Sequence, residues 1–246
     1  MGKRIAVVTG GIGGLGTEIC KALAQAGRRV IAVDLDSRGE RIAAFRQQVE
    51  EQDIHFAAAN VADYENCGAL VRDIEGTHGS LDILVNNAGI IRDSTLRKMD
   101  RAQWDAVLDV NLGSAFNLCG HALAGMQARG FGRVVNISSV SGQTGNFGQA
   151  NYAAAKAGLH GFTMSLAREV ATKGITVNSI SPGYIETAMT AAMPAEVLAR
   201  ITAAIPAGRM GQPGDIARTV AFLADDSAGY ITGANVPVNG GLFMSF

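Results

Sequence analysis

The chain has 246 residues, 48% of them hydrophobic and 17% charged, with a formal net charge of −1. That length and composition suit one large core of a soluble α/β protein, and so balanced a charge gives no case for nucleic acid or an anionic membrane. No apolar run approaches the roughly twenty residues needed to span a bilayer. The first strand pattern starts at Ile5, so no signal peptide is expected. Three widely spaced cysteines (Cys20, Cys67, Cys119) without a C-x-x-C read as reduced residues of a cytoplasmic protein. The four histidines, at 55, 78, 121 and 160, have no ligand spacing, so no catalytic metal is expected.

In chain order, Ile5–Thr9 reads as a buried strand and runs into Gly10-Gly-Ile-Gly-Gly-Leu-Gly16. A helical pattern follows from Thr17 to Ala26, stopped by Gly27. Strand, glycine loop and helix form the context for binding a dinucleotide, since glycines admit a pyrophosphate to the backbone and the helix start offers it unpaired N–H groups. Gly10, Gly13, Gly14, Leu15 and Gly16 are the candidates. Two registers fit equally: Gly11-x-Gly13-x-x-Gly16 and Thr9-Gly10-x-x-x-Gly14-x-Gly16.

Strand and helix then alternate. Strand Val30–Asp34 precedes a charged helix from Ser37 to Glu51, and strand Ile54–Ala59 ends at Asn60-Val61 before a helix from Asp63 to His78. Strand Leu81–Val85 enters Asn86-Asn87-Ala88-Gly89, and one long helical region spans Asp100 to Arg129. The strand around Val134 ends in hydroxyls at Ser138-Ser139, followed by a glycine-rich loop and a helix running to Thr172. Strand Ile175–Ile180 stops at Ser181-Pro182-Gly183, a less regular stretch covers Tyr184 to Pro206, and a helix over Pro213–Ala224 precedes a last strand at Asn235–Val238. Such alternation predicts right-handed βαβ units: one doubly wound α/β domain, a parallel sheet with helices on both faces.

The chemistry centres on Asn151-Tyr152-Ala-Ala-Ala-Lys156. Four residues apart on a helix, Tyr152 and Lys156 share a face. A phenol, with a pKa of about 10, is a poor acid near neutrality, and an adjacent ammonium favours its ionised form. Ser139, at a strand's carboxyl end, emerges where that helix begins, because sites in parallel sheets lie outside those ends. Each feature alone has a plainer explanation: a half-buried Tyr beside a solvated Lys, or a strand-end hydroxyl bonded to a turn. Together they point to a proton-transfer site.

On the Thr9–Gly16 loop, Asn86-Asn87-Ala88-Gly89, Asn111, Ser139, Tyr152 with Lys156, and Pro182-Gly183 with Thr187, the chain resembles the short-chain dehydrogenase/reductases over essentially its whole length. The resemblance implies a Rossmann-type sheet of seven parallel strands and a nicotinamide cofactor. It makes Tyr152 the general acid, Ser139 the partner of the substrate oxygen, and Lys156 the group that lowers the Tyr pKa and holds the nicotinamide ribose. Asn111 becomes the anchor of a water relay, against the simpler reading of a solvated surface Asn. Asn60, Val61, Asn87, Ala88, Gly89, Pro182, Gly183, Ile185 and Thr187 join the glycine loop as cofactor residues.

Asp34 lies eighteen residues beyond Gly16, where a carboxylate accepts from a ribose 2′-hydroxyl and repels a 2′-phosphate. The expectation is NADH, with NADPH as the alternative; Arg38 is nearby, and a helix-capping role for Asp34 is the competing reading. Within the family the chain resembles acetoacetyl-CoA reductases and, less closely, 3-oxoacyl-[acyl-carrier-protein] reductases. By that resemblance Phe147 and Tyr184 wall a short acyl pocket, and Asp93, Asn146 and Gln149 line the thioester entrance. Asn146 stands where a Gln is expected in some acetoacetyl-CoA reductases. Arg129 and Lys173 are the basic residues that favour an acidic carrier protein instead. The resemblance further implies a homotetramer built through the Asn111 and Tyr152 helices, for which Leu159, Phe162 and Met164 are apolar candidates, and a product, (R)-3-hydroxybutanoyl-CoA, for polyhydroxybutyrate synthesis. A non-catalytic dinucleotide sensor is the alternative outside enzymes, and it has no need of Ser139, Tyr152 and Lys156 together.

Overall fold

A strand apolar at every position needs a helical layer on each side, because successive side chains point to opposite faces. All five residues of β1, Ile5–Thr9, are buried. In the computed structural model, which describes residues 2–37, 39–187 and 194–244, Ala6 and Val8 enter one core while Ile5 and Val7 enter the other. The same alternation separates Ile83 and Val85 from Leu84.

The other strands are β2 (Arg29–Asp34), β3 (Ile54–Ala58), β4 (Ile83–Asn86), β5 (Gly132–Ile137), β6 (Ile175–Pro182) and β7 (Asn235–Val238). They form one seven-stranded sheet in the order β3-β2-β1-β4-β5-β6-β7, every pairing parallel. The chain winds outward from β1 to β3 and re-enters at β4 on the other flank of β1. The crevice for a ligand in such a sheet opens at this reversal, beyond the carboxyl ends of β1 and β4.

The helices are α1 (Gly14–Gln25), α2 (Gly39–Gln48), α3 (Tyr64–His78), α4 (Arg101–Leu108), α5 (Ser114–Arg129), α6 (Ser141–Thr144), α7 (Ala150–Val170), α8 (Ala195–Ala204) and α9 (Pro213–Leu223). Ile19 and Leu23 of α1 and Ile216 and Val220 of α9 pack on the Val8 face. Ile74 of α3, Leu118 and Met126 of α5 and Leu166 of α7 pack on the Val7 face.

Three elements differ from the pattern read in the sequence. Helix α1 begins at Gly14, inside the glycine loop, because backbone N–H groups rather than a capping side chain define its start at Gly13. The single helix expected over Asp100–Arg129 is two helices joined by a π turn at Asp109–Gly113. Asn111 sits in that turn and its Nδ2 donates to the carbonyl of Val107, four residues back, at 2.8 Å. Wider turns of this kind inside helices are frequent at functional sites. The stretch expected to be irregular contains α8, while residues 188–193 and Arg38 lie outside the described residues.

Leu159 is buried and Phe162 packs against the core, whereas Met164 is 53% exposed. All three thiols are buried, and burial pushes Cys67 up to about 11 and Cys119 up to about 12, which leaves them inert. Among the described residues no helix is long and apolar enough to cross a membrane. Leu84, fully buried in the central strand β4, is a sensitive point: Leu84→Ala is expected to cost about 2–5 kcal/mol in urea denaturation.

Candidate active site

The largest cleft described, of about 790 Å³, opens where the topology places it and is lined from the carboxyl ends of β2, β5 and β6 and from the segments that follow β1, β3 and β4. Its volume falls in the range of roughly 300–1,000 Å³ usual for ligand sites. Gly10, Gly13, Gly14, Leu15, Gly16, Asp34, Asn60, Val61, Asn87, Ala88, Gly89, Ser139, Tyr152, Lys156, Pro182, Gly183 and Thr187 all line it.

The glycine loop fits a pyrophosphate. Gly16 packs on the loop itself, where a Cβ would overlap the Gly10 carbonyl oxygen. Gly13, the residue before α1, supplies no side-chain cap, so the first N–H groups of the helix have no capping side chain and suit an anion. The loop is anchored from β4. Asn87 Nδ2 donates to the carbonyls of Thr9 at 2.9 Å and Gly10 at 3.3 Å, while Thr9 Oγ1 accepts from the N–H groups of Asn87 and Ala88.

At the other end of the cleft the four proposed proton-transfer residues gather. Lys156, 4% exposed on α7, donates through Nζ to the Ile137 carbonyl at the end of β5 at 2.8 Å. Burial lowers its pKa to about 8. Its Nζ lies 5.6 Å from the centroid of the Tyr152 ring. Ser139 Oγ accepts from the Ser141 N–H at 3.1 Å. The Tyr152 phenol is held above its usual value, first by burial; the nearby Ser139 hydroxyl opposes this and the Asp93 carboxylate adds to it. Lys156, which the spacing suggested would govern this phenol, is not among the causes of its shift; loss of water leads them.

Asn111, 2% exposed, uses its amide nitrogen on the carbonyls of Ile90 and Val107 at 2.9 and 2.8 Å. Its Oδ1 is buried without a protein partner. Gly89 is the residue that keeps this region open: a Cβ there would lie 2.7 Å from Asn111 Oδ1 and 3.6 Å from Lys156 Nζ. A buried acceptor with no protein partner is where an ordered water belongs.

Several sequence expectations end elsewhere. Phe147 is 88% exposed and does not line the cleft, so it walls no enclosed pocket among the described residues. Its loop is instead stitched together at the mouth: Gln149 Nε2 donates to Asp93 at 2.9 Å, and Asn146 Nδ2 donates to Gln149 Oε1 at 3.1 Å. Tyr184 and Ile185 line a separate hollow of about 460 Å³ beside Arg209 and Asp215, apart from the glycine loop. Arg129 is paired with Glu75 at 3.0 Å and donates to the Leu81 carbonyl at 2.7 Å, before the start of β4. Lys173 precedes the start of β6. Both therefore lie at the end of the sheet opposite the cleft.

Sequence reasoning passed over Leu35, Arg41, Ile90, Ile91, Val110 and Ser138, which also line the cleft. Arg41 matters most, since it brings a cation to the wall that holds Asp34. Its only signal was the helical pattern that sets it seven residues beyond Asp34. Asp34 Oδ1 itself accepts from the Leu35 N–H at 2.9 Å.

A family model described as enoyl-(acyl carrier protein) reductase matches residues 10–243. The chain belongs to the short-chain dehydrogenase/reductase family. It is 55% identical to an acetoacetyl-CoA reductase of Allochromatium vinosum over 98% of this chain and 99% of the other. It is 50% identical to an acetoacetyl-CoA reductase of Cupriavidus necator, covering 99% and 100% of the two chains. A 3-oxoacyl-[acyl-carrier-protein] reductase of Haemophilus influenzae is 46% identical over the full length of both. As a short-chain dehydrogenase/reductase the chain is an oxidoreductase that uses a nicotinamide dinucleotide.

The buried lysine of this dehydrogenase/reductase also sets a pH signature. Between about pH 8 and pH 10.5 the unfolded Lys156 holds a proton that the folded one has released. Stability contributed at this site therefore rises with pH across that window. Urea melts of the native chain and of Lys156→Met should differ in pH slope there, with the positive component absent from the variant.

Proposed function

We propose that the chain reduces acetoacetyl-CoA to (R)-3-hydroxybutanoyl-CoA, the product expected to feed polyhydroxybutyrate synthesis. The observation that carries this reading is the convergence of Ser139, Tyr152, Lys156 and Asn111 at one end of a cleft whose other end is the glycine loop. Support for the substrate comes from the relatives at 55% and 50% identity, both named acetoacetyl-CoA reductases. The 46% identical 3-oxoacyl-[acyl-carrier-protein] reductase sustains the second reading.

A reduced nicotinamide bound in the cleft supplies the hydride. Tyr152, kept protonated by burial, gives its proton to the carbonyl oxygen of the substrate. Ser139, close to Tyr152, donates to the same oxygen and fixes its position. Lys156, largely charged below about pH 8, stabilises the phenolate left behind and offers its ammonium to the ribose hydroxyls. Asn111 Oδ1 anchors the water through which Lys156 exchanges protons with solvent. Asp93, Asn146 and Gln149 form the mouth that meets the thioester arm, with the exposed Phe147 at its rim. Assembly into a homotetramer, in a cytoplasmic setting, completes the proposal.

NADH is the proposed preferred reductant. Asp34 supports it by accepting from a 2′-hydroxyl, and Arg41 in the same wall softens the discrimination against a 2′-phosphate.

Purified protein supplied with acetoacetyl-CoA should oxidise NADH faster than NADPH; activity only with carrier-protein thioesters would favour the second reading. Tyr152→Phe should lower kcat by about 10²–10⁴, the usual contribution of a general acid, while dinucleotide affinity measured by fluorescence stays unchanged. Retained turnover in that variant would remove Tyr152 from the role. Asp34→Ala should raise the NADPH/NADH ratio of kcat/KM at least about tenfold, roughly 1.4 kcal/mol, and an unmoved ratio would reassign Asp34 to capping.

A further inference from the structure

Behind the cleft lies a histidine that the chemistry above does not use. His160 is on α7, one turn beyond Lys156 and half-buried. Its Nε2 lies 2.8 Å from Ser138 Oγ and 3.2 Å from Ser181 Oγ. Ser138 follows the end of β5 immediately before Ser139, and Ser181 lies in β6 immediately before Pro182 and Gly183, which line the cleft. One imidazole thus touches the two strand ends that flank the reacting groups, from the helix that carries Tyr152 and Lys156.

The protons of this cluster can be assigned by counting donors. Ser138 Oγ lies 2.8 Å from the Lys156 carbonyl, which can only accept, so the single Ser138 proton goes there. Ser181 Oγ lies 2.9 Å from Asn235 Oδ1, which also only accepts, so its proton is committed as well. Both hydroxyls therefore present lone pairs to His160, and Nε2 must carry a hydrogen shared between them. Burial lowers the pKa of the ring, so the neutral Nε2–H tautomer is the resident form near neutrality.

We propose that His160 is a positioning residue for proton transfer: its shared Nε2–H bond holds helix α7 in register with the ends of β5 and β6, and so fixes Tyr152 and Lys156 relative to Ser139. The assignment deepens the reductase reading and rests on it. Gly142 closes the same junction, since a Cβ there would lie 2.7 Å from the Lys156 carbonyl carbon and 2.8 Å from the Ala157 nitrogen. Helix, α6 loop and strand end are thus in contact on every side of the Lys156 backbone. Without the imidazole the Lys156 carbonyl keeps its Ser138 bond, and the Ser138 N–H still donates to the Ile180 carbonyl at 2.7 Å, but the direct side-chain link from α7 to Ser181 of β6 is lost.

The test combines two measurements on the full chain. In the first, His160→Leu, His160→Gln and His160→Asn are compared with the native chain using acetoacetyl-CoA and NADH. A glutamine amide nitrogen overlays Nε2, whereas that of asparagine overlays Nδ1. The leucine and asparagine variants should lose about tenfold or more in kcat while KM for NADH stays within about twofold, the pattern of a misplaced reacting group. The glutamine variant should recover most of the loss. Unchanged kcat in His160→Leu overturns the proposal, and so does an equal loss in all three variants accompanied by weaker NADH binding, which would mark general disruption. In the second, long-range proton–nitrogen correlation NMR of the ¹⁵N-labelled native chain reads the tautomer at neutral pH. A protonated Nε2 with a bare Nδ1 supports the assignment; a protonated Nδ1 with a bare Nε2 overturns it. The NMR result stands even if acetoacetyl-CoA is not turned over, so failure of the substrate reading and failure of the His160 assignment are told apart.

Discussion

An ammonium with almost no solvent exposure must find an acceptor, and Lys156 finds the carbonyl of Ile137 at 2.8 Å. Much of the candidate site follows from that bond. It requires α7 to lie across the end of β5, which brings Tyr152 to Ser139. It requires Gly142 beneath the helix and Gly89 in front of the lysine, because any side chain at either place would collide with it or its neighbours. The burial that accompanies the bond lowers the lysine pKa to about 8, close to neutrality. Burial is unfavourable for the charge and useful for the chemistry, and the sheet geometry decides where it is imposed.

The parts of this arrangement legible in the sequence are those with local causes. Apolar runs such as Ile5–Val8 and Ile83–Val85 mark strands covered on both faces, and the glycine loop between strand and helix marks the switch point before any coordinate is known. The i, i+4 spacing of Tyr152 and Lys156 fixes their shared face. The features that were not legible depend on contacts far along the chain. The π turn holds Asn111, whose amide nitrogen is bonded to Val107 and to Ile90, twenty-one residues earlier, and helical periodicity carries no trace of the latter. The phenol of Tyr152 is governed by burial and by Asp93, fifty-nine residues before it, rather than by the lysine one turn away. Arg41 reaches the cleft because the α2 position is set by packing on β2 and β3, which a one-dimensional charge pattern does not convey.

The mouth has a different character from the floor. Below, hydrogen bonds run from side chain to buried backbone: Asn87 to Thr9 and Gly10, Ser138 to Lys156, Lys156 to Ile137. Above, Asp93, Asn146 and Gln149 bond mainly to one another at an exposed rim, beside an almost fully exposed Phe147. Groups satisfied by buried backbone stay in place without a ligand, whereas exposed side-chain pairs are weak and rearrange at little cost. In the proposed reaction recognition is divided accordingly: the reductant meets a pre-formed wall, and the thioester meets one that adjusts.

The sheet order has a consequence for how the chain is made. Strand β1 lies between β2 and β4, and Val8 pairs with Val85, seventy-seven residues downstream. At a synthesis rate of about 5–20 residues per second, one edge of β1 waits about 4 to 15 seconds in the growing chain for its partner. During that interval the β1–β2–β3 unit presents an apolar strand edge with the glycine loop at its tip, the pattern that invites pairing with another nascent copy. The first third of the molecule is therefore its most aggregation-exposed part, and the return of the chain at β4 ends that exposure and completes the cleft in one event.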